Sequence, residues 1–240
     1  MSNEILDYPD SNQVIAKAQS KEFFRSVYAY MFIALFVSGA LAYWMGTSGA
    51  VLEWFYDPAT GSLSSGIYII MFAPVGIALL IQMAYNRLSM PVLLVSFLVY
   101  SALIGMSLST IFLIYDIGQI VSTFFITSGA FAAMAILGYT TKTDLSKMGS
   151  LLYMGFIGIF IASIVNVWMG SDTIDWIISI VGVFVFTGLT AYYMQNYKKI
   201  AEDVNISSME KQKLALVGGL QLYILFINLF MSLLRILNRD

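Results

Sequence analysis

The chain has 240 residues, 59% hydrophobic and 11% charged, with a mean hydropathy of +0.81, whereas soluble domains carry about 25% charged residues; this is the composition of a membrane protein. A net charge of −2 leaves no basic excess to neutralise phosphates, which excludes nucleic acid as a ligand. The absence of Cys and His removes disulfides, thiolate nucleophiles, imidazole bases and zinc or haem ligation by those residues, so neither an enzyme nor a resident cofactor is expected.

In chain order, residues 1–22 are polar and contain Glu4, Asp7, Asp10 and Glu22. They do not read as a cleavable signal and are expected to form a short cytoplasmic tail before a membrane domain over 23–240. Apolar runs long enough for a bilayer core of about 30 Å follow near 27–46, 67–85, 91–113, 118–139, 150–169, 175–195 and 214–236. Lipid cannot hydrogen-bond an exposed backbone, so runs of this length are helices, whereas a barrel would show shorter alternating segments. The predicted fold is an all-α integral membrane bundle of seven transmembrane helices. Between the first two spans, Trp54-Phe55-Tyr56 and then Asp57-Pro58-Ala59-Thr60-Gly61 join interface-seeking aromatics to turn chemistry, which predicts a segment on the membrane surface. The stretch 196–213 reads as a mixed-charge connector.

Orientation follows from the basic residues, which are retained in the cytoplasm. Lys17, Lys21, Arg25, Arg87, Lys142, Lys147, Lys198, Lys199, Lys211 and Lys213 fall on one side of the spans, and only Arg235 and Arg239 dissent. The opposite loops carry Glu53, Asp57, Asp116 and Asp172, and with Asp175 these acids can gather cations at an entrance. The N-terminus is therefore expected in the cytoplasm and the C-terminus outside, unless the last span enters without crossing. A bacterial inner membrane is the expected location.

The middles of all seven spans lack ionisable side chains, so a proton relay on buried carboxylates has no support. The polar residues present are ordered. In the seventh span Gln221, Leu225, Asn228, Ser232 and Arg235 follow steps of four, three, four and three and share one face, polar except at Leu225. In the sixth, Thr187, Thr190, Tyr193 and Tyr197 form a stripe with Gln195 at its end; the fifth adds Ser163 and Asn166, and the third Ser101, Ser107, Ser109 and Thr110. Such residues also serve simply to pack helices. Gly138, Gly155, Gly158, Gly182, Gly188, Gly218 and Gly219 predict close helix contacts.

The stretch from Gly138 through Thr143-Asp144-Leu145-Ser146-Lys147 to Gly149, then Met154-Gly155-Phe156-Ile157-Gly158 and Ile161-Ala162-Ser163-Ile164-Val165-Asn166, resembles the central signature of the Bax-inhibitor family of membrane proteins. Gly105 to Phe112, Phe186 to Tyr192, and Leu222-Tyr223 with Phe226-Ile227-Asn228-Leu229-Phe230 and Leu233-Leu234-Arg235 extend the likeness over residues 25–237. The resemblance implies a seven-helix bundle with a central last helix, and members that act as calcium leak channels or as modulators of membrane homeostasis, cell death or protein quality control. In the leak members an aspartate in the sixth span, within Ala-Tyr-Asp-Thr-Gln, pairs with one in the seventh, within Leu-Tyr-Leu-Asp-Phe-Ile-Asn, and their shared protonation sets pH-dependent opening.

This chain departs at both positions, with Tyr193 and Leu225 where the aspartates would stand. Loss of both is coherent, because one remaining carboxylate would be unpaired at membrane depth. Two expectations follow. One is a calcium or other cation leak lined by Ser109, Asn166, Tyr193, Gln221, Tyr223, Asn228 and Arg235, with Leu225 as an apolar plug of the kind that gates by dewetting. The other is a non-conducting regulator that binds another membrane protein, such as a protease or transporter, through its lipid-facing helices or the 196–213 connector. In either case the surroundings are a lipid bilayer.

Overall fold

The computed structural model describes residues 11–55, 64 and 66–239. Its elements are α1 (Ser11–Ser48), α2 (Ala50–Phe55), α3 (Gly66–Ala84), α4 (Met90–Leu108) continued by a 3-10 segment (Ser109–Leu113), α5 (Ile117–Thr140), α6 (Ser146–Met169), α7 (Asp172–Glu202) and α8 (Ser208–Leu237). Seven of these, all but α2, are long and apolar enough to cross a bilayer. Trp54 and Phe55 end α2; the rest of the expected surface segment, Tyr56 and Asp57 to Gly61, lies outside the described residues.

Local sequence explains where the helices start and stop. Pro91 stands in the first turn of α4, where a missing N–H costs nothing. The Gln119 side chain accepts a hydrogen bond from the Asp116 backbone N–H at 3.0 Å and closes the start of α5. Gly170, at φ +59°, ends α6 in the left-handed conformation. Ser171 and Ser207 accept from the N–H groups of Ile174 and Glu210 and cap α7 and α8.

Several helices outrun their apolar stretches. α1 is already helical at Ser11, well before the apolar run begins. The stretch 196–213, expected as a connector, is mostly helix: α7 continues to Glu202, Ser207 caps α8, and only 203–207 connects them. A helix satisfies its own backbone in water as in lipid, so charged turns at a membrane boundary need not interrupt it.

α8 is the axis of the bundle. It packs on α7, α1 and α5, and at its edge on α4 and α3, and Leu216, Leu220, Leu222, Tyr223, Leu225 and Leu229 are fully enclosed. Its 30 residues extend about 45 Å at 1.5 Å per residue, more than a bilayer core. The last helix is therefore long enough to cross completely, and its end at Leu237 lies opposite its start at Ser208. α6 is peripheral, packing principally on α7 with Gly149 as its only buried residue.

The expected glycine contacts hold where α7, α8 and α1 meet neighbours. At Gly138 a Cβ would run into the Ala191 backbone, so only glycine lets α5 and α7 approach this closely. Gly158 is the exception: nothing stands within 4 Å of its would-be Cβ, because it lies on the outer face of peripheral α6.

Candidate functional site

The polar face of α8 is turned toward α7. Gly218 lies under the Tyr197 ring, 3.3 Å from a would-be Cβ. Ser232 fills the space beside Gly182, and Arg235 Nη1 bonds Asp175 Oδ1 at 3.0 Å. Gln221, Leu225 and Asn228 occupy the same face by helical spacing. Asn228 donates to the Ile224 carbonyl of its own helix at 2.8 Å. Leu225 is only 1% exposed and belongs, with Tyr193, to the main apolar cluster, so an apolar, close-packed level interrupts the polar face midway. Tyr193 is half-buried and stacks on Tyr197 at 5.8 Å, with Tyr192 and Tyr153 edge-on beside it.

The remaining sequence candidates lie elsewhere. Tyr223 projects from the opposite face of α8, against Phe97 and Tyr100 of α4 at 6.4 and 6.0 Å; its buried hydroxyl faces Ser38 but completes no hydrogen bond. Ser109 is buried in the 3-10 segment, where it donates to the Met106 carbonyl on the side packed by α1. Asn166 accepts from the Ser171 N–H at 3.1 Å and holds the α6–α7 turn. The structure thus gathers Tyr193, Gln221, Leu225, Asn228 and Arg235 about the α7–α8 seam and leaves Ser109, Asn166 and Tyr223 away from it.

At its far end the seam opens into a polar cavity of about 580 Å³ lined by Asp116, Asp172, Asp175, Arg235, Asn238 and Arg239. Three of the acids expected at an entrance therefore share one mouth, tempered by two arginines. Arg239 also lies over the Trp176 ring at 5.4 Å. Glu53 stands apart on α2, and Asp57 is outside the described residues.

The other end is basic, and its contacts were not legible from spacing. Gln195 accepts from the Leu145 N–H at 2.9 Å and donates to the Thr143 carbonyl at 2.7 Å, pinning the α5–α6 turn to α7. Beside it, the Ser146 hydroxyl and N–H bond Asp144 and, with Lys199 at 3.6 Å, hold its carboxyl below the usual carboxylate range. Lys198 donates to the Tyr139 carbonyl, Lys211 to Gln19 and the Ala201 carbonyl, and Lys213 to the Asn86 carbonyl. Among the described residues no group of three or more acids could hold a metal ion.

The family profile described as "Inhibitor of apoptosis-promoting Bax1" matches residues 20–240. The inner membrane protein YbhL of Escherichia coli K12 is 36% identical over 233 residues, covering 95% of this chain and 97% of that protein. A protein of Borreliella burgdorferi is 41% identical over 218 residues, 91% of this chain and 92% of its own, and the protein RP147 of Rickettsia prowazekii is 38% identical over 239 residues, 98% of each.

Proposed function

Since the chain belongs to the Bax-inhibitor family of membrane proteins, we propose that it is a calcium or other cation leak whose α7–α8 seam is closed by packing and an ion pair instead of a carboxylate pair. One observation carries the reading: a polar face on α8, directed at α7, is interrupted only at Leu225 and ends at the Arg235–Asp175 pair, beside a mouth holding two further acids. Gln221 and Asn228 would solvate a passing ion, Leu225 would act as the apolar constriction, and the acids would raise the local cation concentration. The basic end is the cytoplasmic end on this reading, by retention of Lys and Arg. The bacterial inner membrane is the location, in keeping with the name of the E. coli relative.

The test is calcium and potassium flux from proteoliposomes of the purified protein between pH 5 and 8, against empty vesicles. Flux is expected to vary little with pH, because the chain has no histidine and no carboxylate at Tyr193 or Leu225. Absence of flux in folded protein would overturn the leak.

That result would favour a non-conducting regulator of another membrane protein. The observation behind this second reading is α6, which packs principally on α7 and leaves Leu151, Met154, Ile157, Phe160 and Ile161 exposed along its outer side. Cross-linking from α6 in native membranes would then identify the partner.

A further inference from the structure

α1 and α5 both pack on α7 and α8 but face each other across a groove. Three connected hollows make it up. The first, about 870 Å³, lies at the basic end and is lined by Lys17, Lys21, Tyr28, Tyr139, Lys198 and Glu202 among others. Tyr28, Ala135 and Ile136 also line the second, about 510 Å³, which continues past Phe32, Ser128 and Ala132. Leu35, Phe124 and Phe226 connect that to the third, about 470 Å³, which reaches Tyr43 and Phe112. Phe226 of α8 forms the floor where the second and third meet.

The walls and the mouth differ in chemistry. From Tyr28 to Tyr43 the groove runs about 22 Å along α1 at 1.5 Å per residue, more than the roughly 15 Å of one leaflet's hydrocarbon. Phe32, Phe36, Phe124 and Ile136 are exposed there, on helices long and apolar enough to cross a bilayer. Among the described residues lining the mouth, three lysines stand against one carboxylate, Glu202. Lys17 and Lys21 are exposed, one turn apart on α1. Lys198 is steadied by the Tyr139 carbonyl at 3.1 Å and its ring at 4.8 Å. An apolar helix from another protein would match the walls but bring nothing to the lysines. A phospholipid supplies both halves: a chain for the walls and a phosphate at the depth where long basic side chains reach the interface.

We propose that the α1–α5 groove binds one anionic glycerophospholipid from the leaflet at the basic end, its phosphate against Lys17, Lys21 and Lys198 and one acyl chain between α1 and α5 over Phe226. The site does not depend on conduction. It does place the chain on the helix that carries Leu225.

Native mass spectrometry of the purified full chain, titrated with phosphatidylglycerol or phosphatidylcholine of the same chain length, tests this. One phosphatidylglycerol is expected to be retained at concentrations at least tenfold below those needed for phosphatidylcholine. Lys17→Gln with Lys21→Gln should weaken phosphatidylglycerol about fivefold per lysine and leave phosphatidylcholine unchanged. Ala132→Phe, and independently Ser128→Phe, should fill the groove and weaken both lipids, with thermal unfolding as the check on folding. Equal retention of the two lipids, an unchanged lysine variant, undiminished binding in both folded groove variants, or a co-purifying polypeptide in place of lipid would each overturn the proposal.

Discussion

Arg235 Nη1 lies 3.0 Å from Asp175 Oδ1 and joins the last turn of α8 to the first turn of α7. Both side chains are more than a third exposed, so the pair contributes at most about 1 kcal/mol to stability. Its larger effect is electrostatic, since it sets a guanidinium at a mouth that also holds Asp116 and Asp172.

Arg235→Gln is therefore expected to leave thermal unfolding in detergent nearly unchanged while raising cation flux, because the three acids of the mouth are then tempered by Arg239 alone. Parallel measurements of melting and proteoliposome flux decide it. Unchanged flux in the folded variant would count against the mouth as part of the route.

A second prediction installs carboxylates where Tyr193 and Leu225 stand. Tyr193→Asp with Leu225→Asp should create calcium permeability that changes between pH 5 and 8, because two neighbouring carboxylates titrate as a coupled pair with one affinity for protons raised. Each acid costs about 2.5 to 3.5 kcal/mol on insertion, so the comparison is with Tyr193→Asn and Leu225→Asn, which are polar but do not titrate. Flux without pH dependence in the folded aspartate variant would refute the assignment of Leu225 as the plug.

Topology supplies a third. α8 is continuous from Ser208 to Leu237, and Asn238 donates to Thr123 Oγ1 near the start of α5, at the end remote from the lysines. A compartment-specific reporter fused after Asp240 should read as periplasmic, and one inserted at Lys142 as cytoplasmic. The same compartment for both would contradict a complete seventh crossing.

The seven spans were legible because length and hydropathy are properties of single segments, and the polar face of α8 because helical spacing is too. What was not legible depends on partners distant in the chain. Gln195 looked like one more polar residue of the sixth span, yet it fastens a turn 50 residues away. Asp175 and Arg235 sat at two separate span ends, 60 residues apart. Gly138 and Gly158 are the same residue type in similar apolar surroundings, but one meets the Ala191 backbone and the other open space. Tyr223 stands two residues from Gln221, and two residues along a helix turn a side chain about 200° away, so two groups expected on one pathway are directed oppositely by the fold.

That opposition makes Tyr223→Phe the sharpest discriminator. The Tyr223 hydroxyl is buried among α1, α4 and α8 without completing a hydrogen bond, and an unpaired buried polar group costs about 1 to 3 kcal/mol. Removing the oxygen while keeping the ring should raise stability by about 1 kcal/mol, seen as a higher unfolding midpoint, and leave flux as it was. Gln221→Leu and Asn228→Leu, on the face toward α7, should instead lower flux at similar stability, because a passing ion loses groups able to replace its water. If Tyr223→Phe reduces flux and the α7-facing replacements do not, the route runs on the α1–α4 side of α8. The Arg235–Asp175 pair would then be a helix tether and not a gate.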